Sequence, residues 1–270
     1  MIETIYLARH GFRLNWVNNI WKSPTGLPRD PPLAAYGEAR ASPWILLAYF
    51  LSLPEAQRPT AIFSSPYYRC LQTSQPTSEA LGVPIYVEHG ISEWYSPVLP
   101  GTGLHPRPAP AATLRAFFPD AIDANAWTSV WLPPRTGEDV AAVHARAAGF
   151  LDLFVPTVEH AFPDCTHVLL VSHAATVITL TRALVGDPTL PLRVGCCSLT
   201  ELARVPGGSP LGGWEARRLT DGTHLEGGAS REWGFEDIEI ARGKVVEDPG
   251  EGDELEEGPS GPQIPRTSNL

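Results

Sequence analysis

The chain predicts a three-layer α/β/α fold: a doubly wound, mostly parallel sheet with helices on both faces. Short apolar runs alternate with stretches of helical period along most of its length, the pattern of sequential strand–helix units. Several of the strand-like runs end on histidine or lead into arginine, and in a parallel sheet such ends gather at one edge, where ligands bind. An insertion near 92–136, rich in Pro, Gly and Trp, interrupts the alternation.

Strands are expected at 3–9, 60–64, 84–88, 166–172 and 197–204, and helices near 34–52, 67–81, 110–117, 138–162 and 174–185. The first strand, around Ile5-Tyr6-Leu7-Ala8, stops at Arg9-His10-Gly11. Chance alone supplies about 0.05 copies of that tripeptide in such a chain, so its meaning rests on its company. Ala61-Ile62-Phe63 runs into Ser64-Ser65-Pro66-Tyr67-Tyr68-Arg69. This puts Arg69 in the first turn of a helix, where unpaired N–H groups and the positive dipole end favour an anion. Pro76 should kink or break that helix. Beyond the strand from Pro84 to Val87, Gly90-Ile91-Ser92-Glu93-Trp94 offers a carboxylate. In the insertion, Trp94, Tyr95, Trp127 and Trp131 either line a pocket that receives a flat aromatic group or merely pack a long loop. From Glu138 onward, Val140, Val143, Ala147, Phe150, Leu151 and Phe154 recur near helical spacing. Val168 to Val171 leads to Ser172-His173 and the helical run Ala174 to Val185.

Gathered at one sheet edge, these ends form a pocket of Arg9, Arg13, Arg69, His10 and His173 around Glu93. A neutral imidazole can attack phosphorus while guanidinium groups grip its oxygens, so the set reads as a phosphate site with a proton donor. Glu88 and Glu138 stay open as alternative acids.

A hydrophobic content of 43% suits one folded domain, taken as residues 1–245. No run approaches the ~20 apolar residues of a membrane span, and no basic-then-apolar leader opens the chain. An intracellular protein, cytoplasmic or nuclear, is expected. Cys70, Cys165, Cys196 and Cys197 show neither metal spacing nor a disulfide framework. Residues 246–270 carry seven acids against Arg266, within a chain of net charge −10, and are expected to form a disordered tail. That balance, with only two lysines, argues against direct nucleic-acid binding.

The motifs resemble those of the histidine phosphatase superfamily, the group that includes cofactor-dependent phosphoglycerate mutases, over roughly residues 2 to 205. Besides Arg9-His10-Gly11, Leu33 to Ala41 looks like the family's Leu-Thr-x-x-Gly-x-x-Gln-Ala helix start, with Ala34 and Arg40 departing from it. Ser64-Ser65-Pro66 through Arg69, then Gln72-Thr73, resembles the second motif, and Ser172-His173-Ala174 the third. Arg13, three places after His10, and Ser92-Glu93-Trp94 are similar to the tyrosine-phosphatase-like branch. That branch holds the animal ubiquitin-associated, SH3-bearing phosphatases and the phosphatase-like subunit of a fungal polymerase III transcription factor.

The resemblance implies a phosphomonoesterase with no cofactor and no metal. His10 would be the nucleophile and Glu93 the acid and base, with Arg9, Arg69 and His173 holding phosphoryl oxygens. Arg13, Trp94 and Tyr95 would meet the substrate, a phosphorylated small molecule or phosphopeptide. A mutase would carry Arg and Tyr-Gly after the glutamate, where Trp94, Tyr95 and Ser96 stand. The branch also implies an interaction subunit as an alternative role, with a homodimer and transcription-complex proteins as candidate partners.

Overall fold

The structure, a computed structural model, describes residues 1–34, 43–241, 244–251 and 255–263. Its sheet is laid down by β1 (Thr4–Arg9), β2 (Ala61–Ser64), β3 (Ile85–Val87), β5 (His167–Ser172), β6 (Leu199–Arg204) and β7 (Trp214–Asp221). The two-residue β4 (Trp131–Leu132) lies outside that sheet. The helices are α1 (Pro43–Ser52), α2 (Tyr68–Leu81), α3 (Ala111–Leu114), α4 (Val140–Ala161) and α5 (Ala174–Val185).

The sheet runs in the order β3-β2-β5-β1-β6-β7. The first four of these strands are parallel; β6 runs antiparallel to β1, and β7 antiparallel to β6. Because β5 is inserted between β2 and β1, the carboxyl ends of three strands become neighbours: Arg9 pairs with Ser172, and Ser64 with Val171. The residues after those ends carry the chemistry singled out in the sequence.

Alternation along the central strands divides the core. Ile5, Leu7, Phe63, Val168 and Leu170 face Phe150, Leu151 and Phe154 of α4 and Ile178 and Leu180 of α5. Tyr6, Ala8, Ile62, Leu169 and Val171 face Leu46 and Phe50 of α1 and Cys70 and Leu71 of α2. A strand covered on both faces reads as an unbroken apolar run, which is why these were legible. Each fully buried side chain of this size contributes about 1.5–3 kcal/mol. The helix ends follow local rules. Asp139 caps α4 by accepting from the Ala142 N–H at 2.7 Å, and Gly82 and Gly186 take the left-handed conformation that closes α2 and α5.

The structure departs from expectation at several points. Helix α2 runs unbroken through Pro76, which is buried. Thr73 and Ser74 return side-chain hydrogen bonds to the Arg69 and Cys70 carbonyls in the turn before it. The expected helix near 110–117 is the single turn α3. The expected start of the 34–52 helix, with most of the Leu33–Ala41 motif, lies outside the described residues. Strand β7 gave no apolar signal because most of its side chains face outward. Trp127 is a core residue, packed edge-on against Phe63 at 4.8 Å, and Trp131 lies against Gly149. Both pack rather than line the main pocket.

The described parts of the tail lie along the insertion. The Leu99 N–H donates to the Asp248 carbonyl at 3.1 Å, the Asp248 N–H to the Pro97 carbonyl at 3.0 Å, and the Glu251 N–H to the Leu104 carbonyl at 2.9 Å. Further on, Gly261–Pro262 pairs with β4. These contacts are main-chain hydrogen bonds and ion pairs, which composition does not register.

One buried ion pair fastens α4 to the strand-end loops. Arg146 Nε lies 2.9 Å from both Glu138 oxygens, and its NH1 donates to the Gly90 carbonyl at 2.9 Å. Both residues are buried. Removing one partner leaves an uncompensated charge, so Arg146→Met should lower stability by about 3–5 kcal/mol in urea unfolding at pH 7.

Candidate active site

The turn after β1 is held from three sides. The His10 N–H donates to the Ser172 carbonyl at 2.9 Å, the Cys197 N–H donates to the Arg9 carbonyl at 3.1 Å, and the Gly11 N–H donates to Thr73 Oγ1 at 2.9 Å. His10 is buried, and its Nδ1 lies 2.7 Å from the Gly11 carbonyl. A carbonyl only accepts, so Nδ1 carries the proton and Nε2 keeps its lone pair. Burial, then Arg69 and Arg9, hold the His10 pKa well below its ordinary value. The imidazole is neutral at pH 7 and its Nε2 is unprotonated.

Three arginines surround it. Arg9 NH1 donates to the carbonyls of Val194 at 2.7 Å and Arg231 at 2.5 Å. Arg13 lies over the Trp16 ring at 4.4 Å, and burial, then Arg69, lower its pKa to about 10. Arg69, fully buried, donates from NH1 to Asp30 and from NH2 to Glu93, each at 3.0 Å. Against the cost of its burial, Glu93 and Asp30 push the Arg69 guanidinium above its ordinary range. The Nε atoms of Arg9, Arg13 and Arg69 are buried without an acceptor among the described residues.

Glu93 is delivered by a loop whose carbonyls are anchored one after another. Arg146 takes Gly90, Ser172 Oγ donates to Ile91 at 2.6 Å, and Thr176 Oγ1 donates to Ser92 at 2.8 Å. Burial would raise the Glu93 pKa, but His173, Arg69 and Arg13 hold it well below the usual carboxylate range. His173 Nδ1 stands 3.3 Å from Glu93, and Ser65 Oγ contacts its Nε2 at 2.8 Å. Burial lowers the His173 pKa to about 4, with Glu93 opposing the shift and Arg69 and Arg13 adding to it.

His10, Arg9, Arg13, Arg69, Glu93, Trp94 and Tyr95 all line one cavity of about 460 Å³, and the His173 ring lies 5.4 Å from that of His10. Donor atoms of His10, Glu93 and His173 fall within 4.8 Å of one another, a spacing that a divalent ion could bridge. The three guanidinium groups around them set the field the other way, toward an anion. Glu88 and Glu138 stand outside this cavity. Glu88 accepts from Gly90 N–H, Val130 N–H and the Trp127 indole, and burial pushes its pKa up to about 7. Glu138 is tied to Arg146.

Sequence reasoning missed the supports. Trp16 carries Arg9 at 5.7 Å, Arg13 at 4.4 Å and Arg231 at 5.4 Å, and its place three residues after Arg13 was the available signal. Asp30 gave none. Arg29, Cys197 and Arg231 all have positive φ, near 55–60°. Arg29 and Arg231 present carbonyls to Arg69 and Arg9, and Cys197 presents its N–H to the Arg9 carbonyl. Such backbone strain persists only where its surroundings over-determine it.

Two outcomes follow. Trp16→Ala removes a shared aromatic face worth about 0.5–2 kcal/mol per cation, and should weaken vanadate binding about tenfold, read by calorimetry. The neutral histidines also make stability pH-dependent. Below about pH 6.5 the unfolded chain protonates histidines that the folded state keeps neutral, so stability falls as pH drops toward 4. His89, lowered to about 4 by burial, acts in the same sense as His10 and His173, while Glu88 opposes them. His173→Gln should therefore flatten the fall of the urea midpoint between pH 6.5 and 4.

Residues 5–216 match the family model described as histidine phosphatase superfamily, branch 1. The chain is 40% identical over 210 residues to the transcription factor tau 55 kDa subunit of Saccharomyces cerevisiae, covering 74% of this chain and 47% of that protein. It thus spans about half the length of that relative. Among solved structures, the ecdysone phosphate phosphatase of Bombix mori, in complex with tungstate, superposes with a TM-score of 0.60 at 17% identity, covering 81% of this chain and 93% of the other. A mycobacterial glucosyl-3-phosphoglycerate phosphatase gives 0.51 at 20%, covering 81% and 98%. These two likenesses speak to the fold, whereas the family match spans most of the chain: it belongs to the histidine phosphatase superfamily.

Proposed function

We propose that the chain is a metal-independent phosphomonoesterase working through a phosphohistidine. The observation that carries this reading is a neutral His10 with Nε2 unprotonated, set among Arg9, Arg13 and Arg69 with the Glu93 carboxylate within 4.8 Å. In the first step the Nε2 lone pair attacks phosphorus, and the P–O bond breaks as Glu93 protonates the leaving oxygen. In the second, water attacks the phosphohistidine, Glu93 takes its proton, and the P–N bond breaks to release phosphate. The arginines and His173 hold the equatorial oxygens, where a substrate charge of about −1.5 to −2 is offset.

Glu93 is ionised in the free pocket, so its catalytic proton must enter with the substrate. The productive encounter is then ionised Glu93 with the ester monoanion, whose remaining proton has a pKa near 6. On this mechanism kcat/KM declines above about pH 6, approaching tenfold per unit, and a profile flat to pH 8 would count against it.

The leaving-group side is aromatic: Trp21, Trp94, Tyr95 and Trp233 line the cavity. This supports aryl phosphates or phosphotyrosine over a glycerate-based mutase substrate. The reading is tested with p-nitrophenyl phosphate in excess chelator. Hydrolysis should persist, and His10→Ala should reduce it by more than about 10³-fold. Intact protein no faster than the variant would overturn the reading. The second reading, an interaction subunit, is supported by the relative named as a transcription factor subunit. On it the partners are transcription-complex proteins and the location nuclear, and comigration with a large complex in native extract is the result expected. No helix among the described residues is long and apolar enough to cross a membrane.

A further inference from the structure

The cavity has a fourth arginine that is already engaged. Arg29 lines the mouth, but all three of its nitrogens donate to the acidic tail: Nε to Glu251 at 2.7 Å, NH1 to Asp248 at 2.5 Å, and NH2 to the Pro249 carbonyl at 2.6 Å. Asp248 itself lines the cavity that holds His10 and Glu93. Its position is built. Main-chain hydrogen bonds fix it to Pro97 and Leu99, the Gly250 N–H donates to Thr102 Oγ1 at 2.8 Å, and a Cβ at Gly250 would meet the Gly103 carbonyl carbon at 2.3 Å.

The charges here are unequal. One guanidinium faces two carboxylates, so the rim carries a net negative charge above a cationic floor. A cavity of about 460 Å³ is on the order of 10 Å across, so a small substrate with its phosphate at His10 brings its other end near this rim. The cation that would receive a second anionic group there is the one the tail has neutralised.

Resting on the phosphatase reading for its chemistry, we infer that Asp248 is a specificity-determining residue. It disfavours phosphomonoesters bearing a second anion, a carboxylate or another phosphate, close to the first. Substrates whose organic part is uncharged near the phosphate meet the aromatic wall of Trp94 and Tyr95 instead.

The test uses the full chain and two non-hydrolysable probes, phenylphosphonate and 4-carboxyphenylphosphonate, with affinities read by calorimetry. Asp248→Asn should raise the affinity ratio of the carboxylated to the plain probe about tenfold. Glu251→Gln, one step farther from the cavity, should raise it less, and it answers the same question if the first variant does not fold. An unchanged ratio, or an equal change for both probes, overturns the inference. Hydrolysis of the two corresponding phosphates, followed in parallel, separates the readings. Probe discrimination without turnover sinks the phosphatase reading alone, and turnover with an unchanged ratio sinks the role of Asp248 alone. Failure of the unsubstituted chain to bind even phenylphosphonate sinks both.

Discussion

Three guanidinium groups crowd into one buried pocket, and the rest of the site is arranged around the repulsion among them. Desolvation and mutual proximity lower the Arg13 pKa, while Asp30 and Glu93 hold the Arg69 guanidinium above its ordinary range against the cost of burial. Carbonyls of Val194 and Arg231 hold Arg9, and the Trp16 face receives both Arg9 and Arg13. Burial first, and then this crowding, keeps the imidazole between them neutral. A neutral imidazole and a field that favours an anion thus share one enclosed concentration of charge.

Two glutamates five residues apart show how completely surroundings decide chemistry. Glu88 accepts only neutral donors in an apolar setting, and its pKa rises to about 7. Glu93 opens onto the cavity, and His173 and two arginines draw its pKa far down. The first stitches the insertion to the sheet and the second faces His10. Nothing in Glu-His-Gly-Ile-Ser-Glu tells them apart. The separation comes from main-chain anchors on α4, β5 and α5, all distant in sequence.

That contrast also marks where reading the sequence succeeds. The parallel strands and the residues at their ends were legible because both are local: an apolar run covered on two faces, then a polar residue where pairing stops. Arg9, His10, Arg69 and His173 are brought together by that rule. Asp30 and Arg231 were invisible because each acts through a partner set by tertiary packing, and no spacing encodes it. Trp127 and Trp131 were ambiguous, since an aromatic in a long loop has the same signature whether it lines a cavity or fills a core.

Thr73 has a consequence for how this site can move. Its hydroxyl accepts from the Gly11 N–H and donates to the Arg69 carbonyl, so one side chain links the nucleophile turn to the first turn of α2. The same turn is pinned to Ser172 and Cys197, so a tilt of that helix strains either the Thr73 link or the sheet edge. The outer layer is thereby tied to the centre of the sheet at the floor of the cavity.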